Sequence, residues 1–151
     1  MISKITIDGK EYKTTLKGVT ARLYREQFRS DLLVDMNNAQ KNLVQAIAEN
    51  MESKKFAQGE IGDLMLSAIG ETFLTQLAWA CIAGELLLTN KPVPTYVALT
   101  DNIEDYVGFI QQCCLLYDSA IFSSQPTVES EDTEEPKKKV KRTSQKSLSQ
   151  V

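Results

Sequence analysis

The chain contains no histidine in its 151 residues. That absence removes the commonest general base and the Ser/His and Cys/His nucleophilic systems built on it. Cysteine is sparse: Cys81, Cys113 and Cys114, an odd number, with two of them adjacent and all three in apolar stretches. Adjacent cysteines do not readily pair, and there is no CxxC. The three are expected to be reduced, buried thiols of a cytoplasmic protein, with no metal site and no disulfide framework. No phosphate-cradling GxxxxGK[ST] is present, nor a GxGxxG after a strand, so no nucleotide fingerprint appears. No apolar run reaches the roughly 18 residues of a membrane span, because the most apolar stretch, FLTQLAWACIAGELLLT, is interrupted by Gln76 and Glu85. The opening MISKITIDGKEY lacks an apolar signal core, so no secretory leader is expected. Neither a cofactor nor a catalytic residue is expected.

What the chain does have is unevenly distributed charge. Residues 1–122 carry 11 Lys/Arg against 15 Asp/Glu, whereas residues 123–151 carry six basic and five acidic residues. A mildly acidic body is a poor match for the phosphate backbone, so nucleic-acid binding by the body is not expected. The 123–151 segment is almost free of apolar residues and rich in Ser, Thr, Gln and charge. Such a segment cannot bury enough surface to offset its ordering entropy, and it is expected to be a disordered tail. Its PKKKVKR resembles a nuclear localisation signal, but short basic runs match by chance and are usually solvated.

Residues 1–122 are expected to form a mainly α (α+β) domain, a small N-terminal β-hairpin packed on about four helices. ITIDGKEYKTTL predicts the hairpin, with Asp8-Gly9 as a type I′ turn that sets Ile7 opposite Lys10 and Ile5 opposite Tyr12. Ile5, Ile7, Tyr12 and Leu16 then share the side turned to the body, while Thr6, Glu11 and Lys13 face water. KGVTARLYREQF predicts a helix capped by Thr20, with Val19, Leu23 and Phe28 as its buried stripe and Arg22, Arg25 and Arg29 outside. A second helix, capped by Asp35, carries Met36, Ala39 or Gln40, Leu43, Ile47 and Met51 at steps of three and four. ESKKFAQGE breaks the pattern as an exposed loop. Residues 60–88 then predict one long helix whose apolar face nearly closes round it, as at the centre of a bundle or in an oligomer interface. Gly62 and Gly70 within it are expected to admit a close neighbour, and Trp79 to act as a packing anchor. Pro92 and Pro94 end that helix. Thr95 caps a short turn over YVALT, and Asp101 or Asn102 caps a last helix with Ile103, Val107, Ile110, Cys114, Tyr117 and Ile121 on one face. The acids in DNIEDY suit the positive end of that helix without a metal.

Taken in order, KITIDGKEYKTTL, GVTARLYREQF, FLTQLAWACIAGELL, the proline link and YVALTDNIEDYVGFI resemble the tail assembly chaperones of long-tailed, siphovirus-type bacteriophages, particularly those of Gram-positive hosts. The resemblance covers about residues 2–122 and rests on order and spacing; the amide-rich 36–50 segment departs from the commoner pattern. It implies a non-enzymatic protein that binds the tape measure protein before the tail tube polymerises around it. It also implies a host-cytoplasmic location, absence from the mature virion, and a longer frameshifted product that recruits the tail tube protein. A homo-oligomer without a membrane partner is expected. The apolar band of 61–88 and the face of 103–121 are the candidate partner-binding surfaces, represented by Leu77, Trp79, Ile82, Val107, Ile110 and Tyr117. Lys137, Lys138 and Lys139 imply an A-rich stretch of message and are expected to mark the slip site of the frameshift. Two alternatives stand beside this: a small adaptor with a basic localisation signal, and a tail that binds nucleic acid through Lys137–Lys139, Lys141 and Arg142.

Overall fold

In the computed structural model, residues 2–52 and 60–124 are described. The chain divides into two units, Met1–Ile121 and Phe122–Val151, and the account below concerns the first. The expected loop around Lys54–Lys55 and almost all of the expected tail lie outside the described residues.

Strands β1 (Lys4–Ile7) and β2 (Lys10–Lys13) form an antiparallel hairpin with Ile7 opposite Lys10 and Ile5 opposite Tyr12. Asp8 and Gly9 both have positive φ, 51° and 83°, as a type I′ turn requires. Alternation buries Ile5 and Ile7 and leaves Thr6, Glu11 and Lys13 exposed, as expected. A lone hairpin is marginal in water, and this one is tied down at its end. The Thr15 N–H donates to the Cys81 carbonyl at 3.1 Å.

Helix α1 (Gly18–Phe28) starts two residues before the expected cap. Thr20 lies inside its first turn, where its Oγ1 accepts from the Lys17 N–H at 3.1 Å and donates to the Thr15 carbonyl at 2.8 Å. The face that α1 buries most deeply is Thr20–Tyr24; Val19, Leu23 and Phe28 are half-buried. Helix α2 (Leu32–Glu52) is capped by Asp31, whose Oδ1 accepts from the N–H groups of Leu33 and Val34. Asp35, the expected cap, instead accepts from the hydroxyls of Tyr24 and Ser30, each at 2.7 Å. Of the expected α2 stripe, Met36 and Ala39 are buried and Leu43 and Ile47 half-buried, while the side chain of Met51 lies outside the described residues.

The expected single helix over 60–88 is two, α3 (Glu60–Ile69) and α4 (Glu71–Leu88), bent by 96° at their junction. The cause is Gly70, which sits at φ 94°, ψ 145°, a conformation open to glycine and strained for other residues. Periodicity continues across the junction, so the pattern alone reads as one helix. The break lets α3 fold back along α2 while α4 runs through the core. Leu77 to Gly84 are all buried, so α4 occupies the centre of the body. Its Gly84 faces α1 closely: a Cβ there would lie 2.9 Å from Thr20 Oγ1 and 3.3 Å from Thr15 Cγ2. A Schellman arrangement ends α4, with the Lys91 N–H on the Leu86 carbonyl at 2.9 Å and the Asn90 N–H on Leu87 at 3.2 Å. Asn90 takes the left-handed position, φ 57°, before Pro92 stops the helix.

Short α5 (Tyr96–Thr100) is capped by Thr95 as expected, its hydroxyl accepting from the Ala98 N–H at 3.0 Å. Helix α6 (Tyr106–Ser124) starts later than Asp101 or Asn102 would place it. Asp105 is its cap, with Oδ1 accepting from the Gly108 N–H at 3.0 Å. The two free N–H groups before it, on Glu104 and Asp105, donate to the Asp8 carboxylate at 2.9 Å each. The hairpin turn thereby clamps the approach to α6. The fold is thus mainly helical with a small hairpin, as expected, with six helices among the described residues where about four were expected.

Candidate functional site

The six residues expected to meet a partner divide sharply. Leu77, Trp79 and Ile82 on α4 are 0%, 3% and 0% exposed, and Ile110 and Tyr117 on α6 are 9% and 1% exposed. Those five form the monomer's own core and offer no surface to a partner. Trp79 is held on two sides: its Nε1–H donates to the Pro94 carbonyl at 2.9 Å, and its ring meets Phe28 edge-on at 5.5 Å. Phe28 also packs on Tyr24 and Tyr96, and Phe73 links Tyr24 to Tyr117, so five further aromatic rings continue the interior from α1 through α4 to α6. Edge-to-face pairs of this kind each contribute about 0.5–1.5 kcal/mol beyond area burial.

Val107 is the exception, 70% exposed on the outer face of α6. Leu115, two turns on, is 56% exposed on the same face, with exposed Gln111 between them. The core face of α6 is Phe109, Ile110, Cys113, Leu116, Tyr117 and Ala120, turned by about one residue from the expected stripe. The reason is composition: Val107 to Tyr117 is apolar on nearly every side, so periodicity does not fix which side is buried. A second set of outward aliphatics lies on α2, where Leu33, Val34 and Val44 are 70%, 54% and 59% exposed. Asn37, Asn38, Lys41 and Gln45, all exposed, surround them. Sequence reading missed these α2 residues, although their signal is plain in retrospect: they are the apolar positions that fall off the Met36–Leu43–Ile47 stripe. Further exposed aliphatics are Leu87 and Leu88 at the end of α4 and Val97 on α5.

The titratable groups of the interior are arranged for packing. Burial pushes the Cys81 thiol up to about 12 and the Cys113 thiol still higher, and raises Cys114 too. Thiols held protonated are poor nucleophiles. Tyr24 is raised well above the usual phenol range by burial and by its hydrogen bond to Asp35. Beside it, Asp35, Asn38, Asn42, Thr72 and Gln76 line a cleft of about 290 Å³ between α2 and α4 that offers hydrogen-bonding groups. Asp8 is held below its ordinary value by the two backbone N–H groups it accepts from. Among the described residues, no three His, Cys, Asp or Glu side chains stand together as metal ligands, and no single helix is long and apolar enough to cross a membrane. The outer faces of α6 and α2 thus present aliphatic side chains to solvent. No family model, curated protein or solved structure matches the chain.

Proposed function

We propose that this chain is a tail assembly chaperone of a long-tailed bacteriophage, a non-enzymatic protein that holds the tape measure protein in solution until the tail tube forms around it. The observation that carries the reading is the pair of outward aliphatic faces, Val107 and Leu115 on α6 and Leu33, Val34 and Val44 on α2. Large aliphatics exposed at helical spacing and ringed by amides and charges suit a groove-and-helix contact with a long amphipathic client. The ordered resemblance of KITIDGKEYKTTL, GVTARLYREQF, LAWACIAGELL and YVALTDNIEDYVGFI supplies the identity of that client. In this reading the protein works in the host cytoplasm, as a homo-oligomer, and is left out of the finished virion. A longer product, diverging by frameshift at Lys137–Lys139, brings in the tail tube protein. Those lysines lie outside the described residues, and codon sequence tests them: a slippery heptamer supports the shift, and its absence removes it.

The test of the main reading is co-expression with the tape measure protein. The full chain is expected to move that protein from the insoluble to the soluble fraction and to co-purify with it. An unchanged soluble fraction would remove the proposal.

A further inference from the structure

The two edges of the hairpin are treated differently by the fold. On β1, the outward Thr6 N–H is taken by Gln112 Oε1 of α6 at 3.1 Å, and the nearby Ile2 N–H by Ser119 Oγ at 3.0 Å. On β2, a two-residue turn makes Ile7 and Lys10 exchange both main-chain hydrogen bonds, and pairs alternate along an antiparallel ladder. Glu11 and Lys13 therefore point their N–H and C=O groups away from β1. No described group hydrogen-bonds to them. An open strand edge is a template for another extended chain, and proteins usually cover or blunt it.

This edge borders a groove of about 590 Å³. Its far wall is the end of α4 and the proline link, with Leu86, Pro92 and Pro94 supplying apolar surface. Tyr12 adds a ring from the strand itself. Three cations, Lys10, Lys13 and Lys91, stand around the groove. Of the two acids there, the Glu11 carboxylate is engaged by Lys4 at 3.2 Å, which leaves Glu85 as the one opposing charge.

We infer that this groove is a docking site for an extended peptide segment of a partner protein, one in which acidic and apolar residues alternate. Such a segment adds as a third strand on β2. Its backbone meets the free groups of Glu11 and Lys13, its apolar side chains lie on Leu86 and the prolines, and its acids face the lysines. The site is separate from the α6 and α2 faces and does not depend on the identity of the client that they hold.

The probe is a short fluorescein-labelled peptide in which valine alternates with aspartate or glutamate, titrated with the full chain and followed by fluorescence anisotropy. Saturable binding is expected, and it should weaken with salt. A peptide with lysine in place of the acids should not bind. Removing one backbone N–H from the peptide by N-methylation should weaken binding roughly tenfold on the unaltered protein. Glu11→Pro, which an edge strand tolerates with its N–H outward, should weaken it similarly while leaving the circular dichroism spectrum unchanged. Lys91→Glu should weaken binding and flatten its salt dependence. Absence of saturable binding, or equal binding by the N-methylated peptide, would overturn the inference. A dimer dissolved by Glu11→Pro, with no peptide binding, would assign the edge to a second copy and overturn it as well.

Discussion

The Tyr24 hydroxyl donates to Asp35 Oδ2 at 2.7 Å, fastening α1 to the first turn of α2 across the Arg29–Asp31 corner. Tyr24 is wholly buried, and Ser30 donates to the same carboxylate oxygen. Tyr24→Phe deletes one donor to a charged, half-buried acceptor and is expected to lower stability by about 1–3 kcal/mol. Urea denaturation measures it through a lower midpoint at unchanged slope.

Tyr117 reverses that sign. It is 1% exposed, and its hydroxyl has no hydrogen-bond partner among the described residues. Burying a hydroxyl without a partner costs free energy. Tyr117→Phe is therefore expected to be neutral or to stabilise by up to about 1 kcal/mol. The two Tyr→Phe variants compared in one denaturant series test whether partnering, rather than burial alone, sets the cost.

Gly70 and Gly62 form a second contrasting pair. Gly70 has φ 94° and makes the break between α3 and α4, so Gly70→Ala should cost roughly 1–3 kcal/mol through backbone strain. Gly62 lies within α3, and a Cβ there meets nothing within 4 Å. Gly62→Ala should stabilise by up to about 1 kcal/mol through helix propensity. Thermal melts of both variants check the opposite directions.

Alkaline pH should destabilise the fold. Cys81 rises from 9.0 to about 12 and Tyr117 from 10.0 to about 12, and Tyr24 and Cys113 shift the same way. Between the ordinary and the folded values, the unfolded chain has released protons that the folded chain retains. Stability is therefore fully present below about pH 9 and falls as pH rises from there toward 12. Unfolding free energy measured by urea across this range should decline continuously. A flat profile would mean these groups are solvated in the folded chain.

The hairpin was legible residue by residue because one local signal, Asp8-Gly9, sets both turn and register. Thr95 as a cap and the Met36–Leu43–Ile47 stripe were legible for the same reason: a single neighbour or a clean period decides them. Caps with a competitor nearby are ambiguous in the sequence. Asp31 and Asp35 both suit a helix start, and only tertiary contact with Tyr24 decides that Asp35 is used elsewhere. Thr20 and Tyr24 were missed as the buried face of α1 because threonine ranks as polar, although Thr20, Tyr24 and Phe28 stand at steps of four. The candidate site was the least legible part. Leu77, Trp79 and Ile82 lie in the most apolar stretch of the chain, and that is why the fold buries them. The residues left outside are the aliphatics that fall off each helix's buried stripe, which are identified only once the buried side is known.

If the outward aliphatics of α6 hold a client, they should be dispensable for the fold. Val107→Ser with Leu115→Ser should leave stability within about 0.5 kcal/mol, as surface substitutions usually do. The direct measurement is light scattering as the tape measure protein is diluted from denaturant with an equimolar amount of the full chain or of this double variant. The unaltered chain is expected to suppress the scattering and the equally stable variant is not. Equal suppression by both, or none by either, would contradict the proposal.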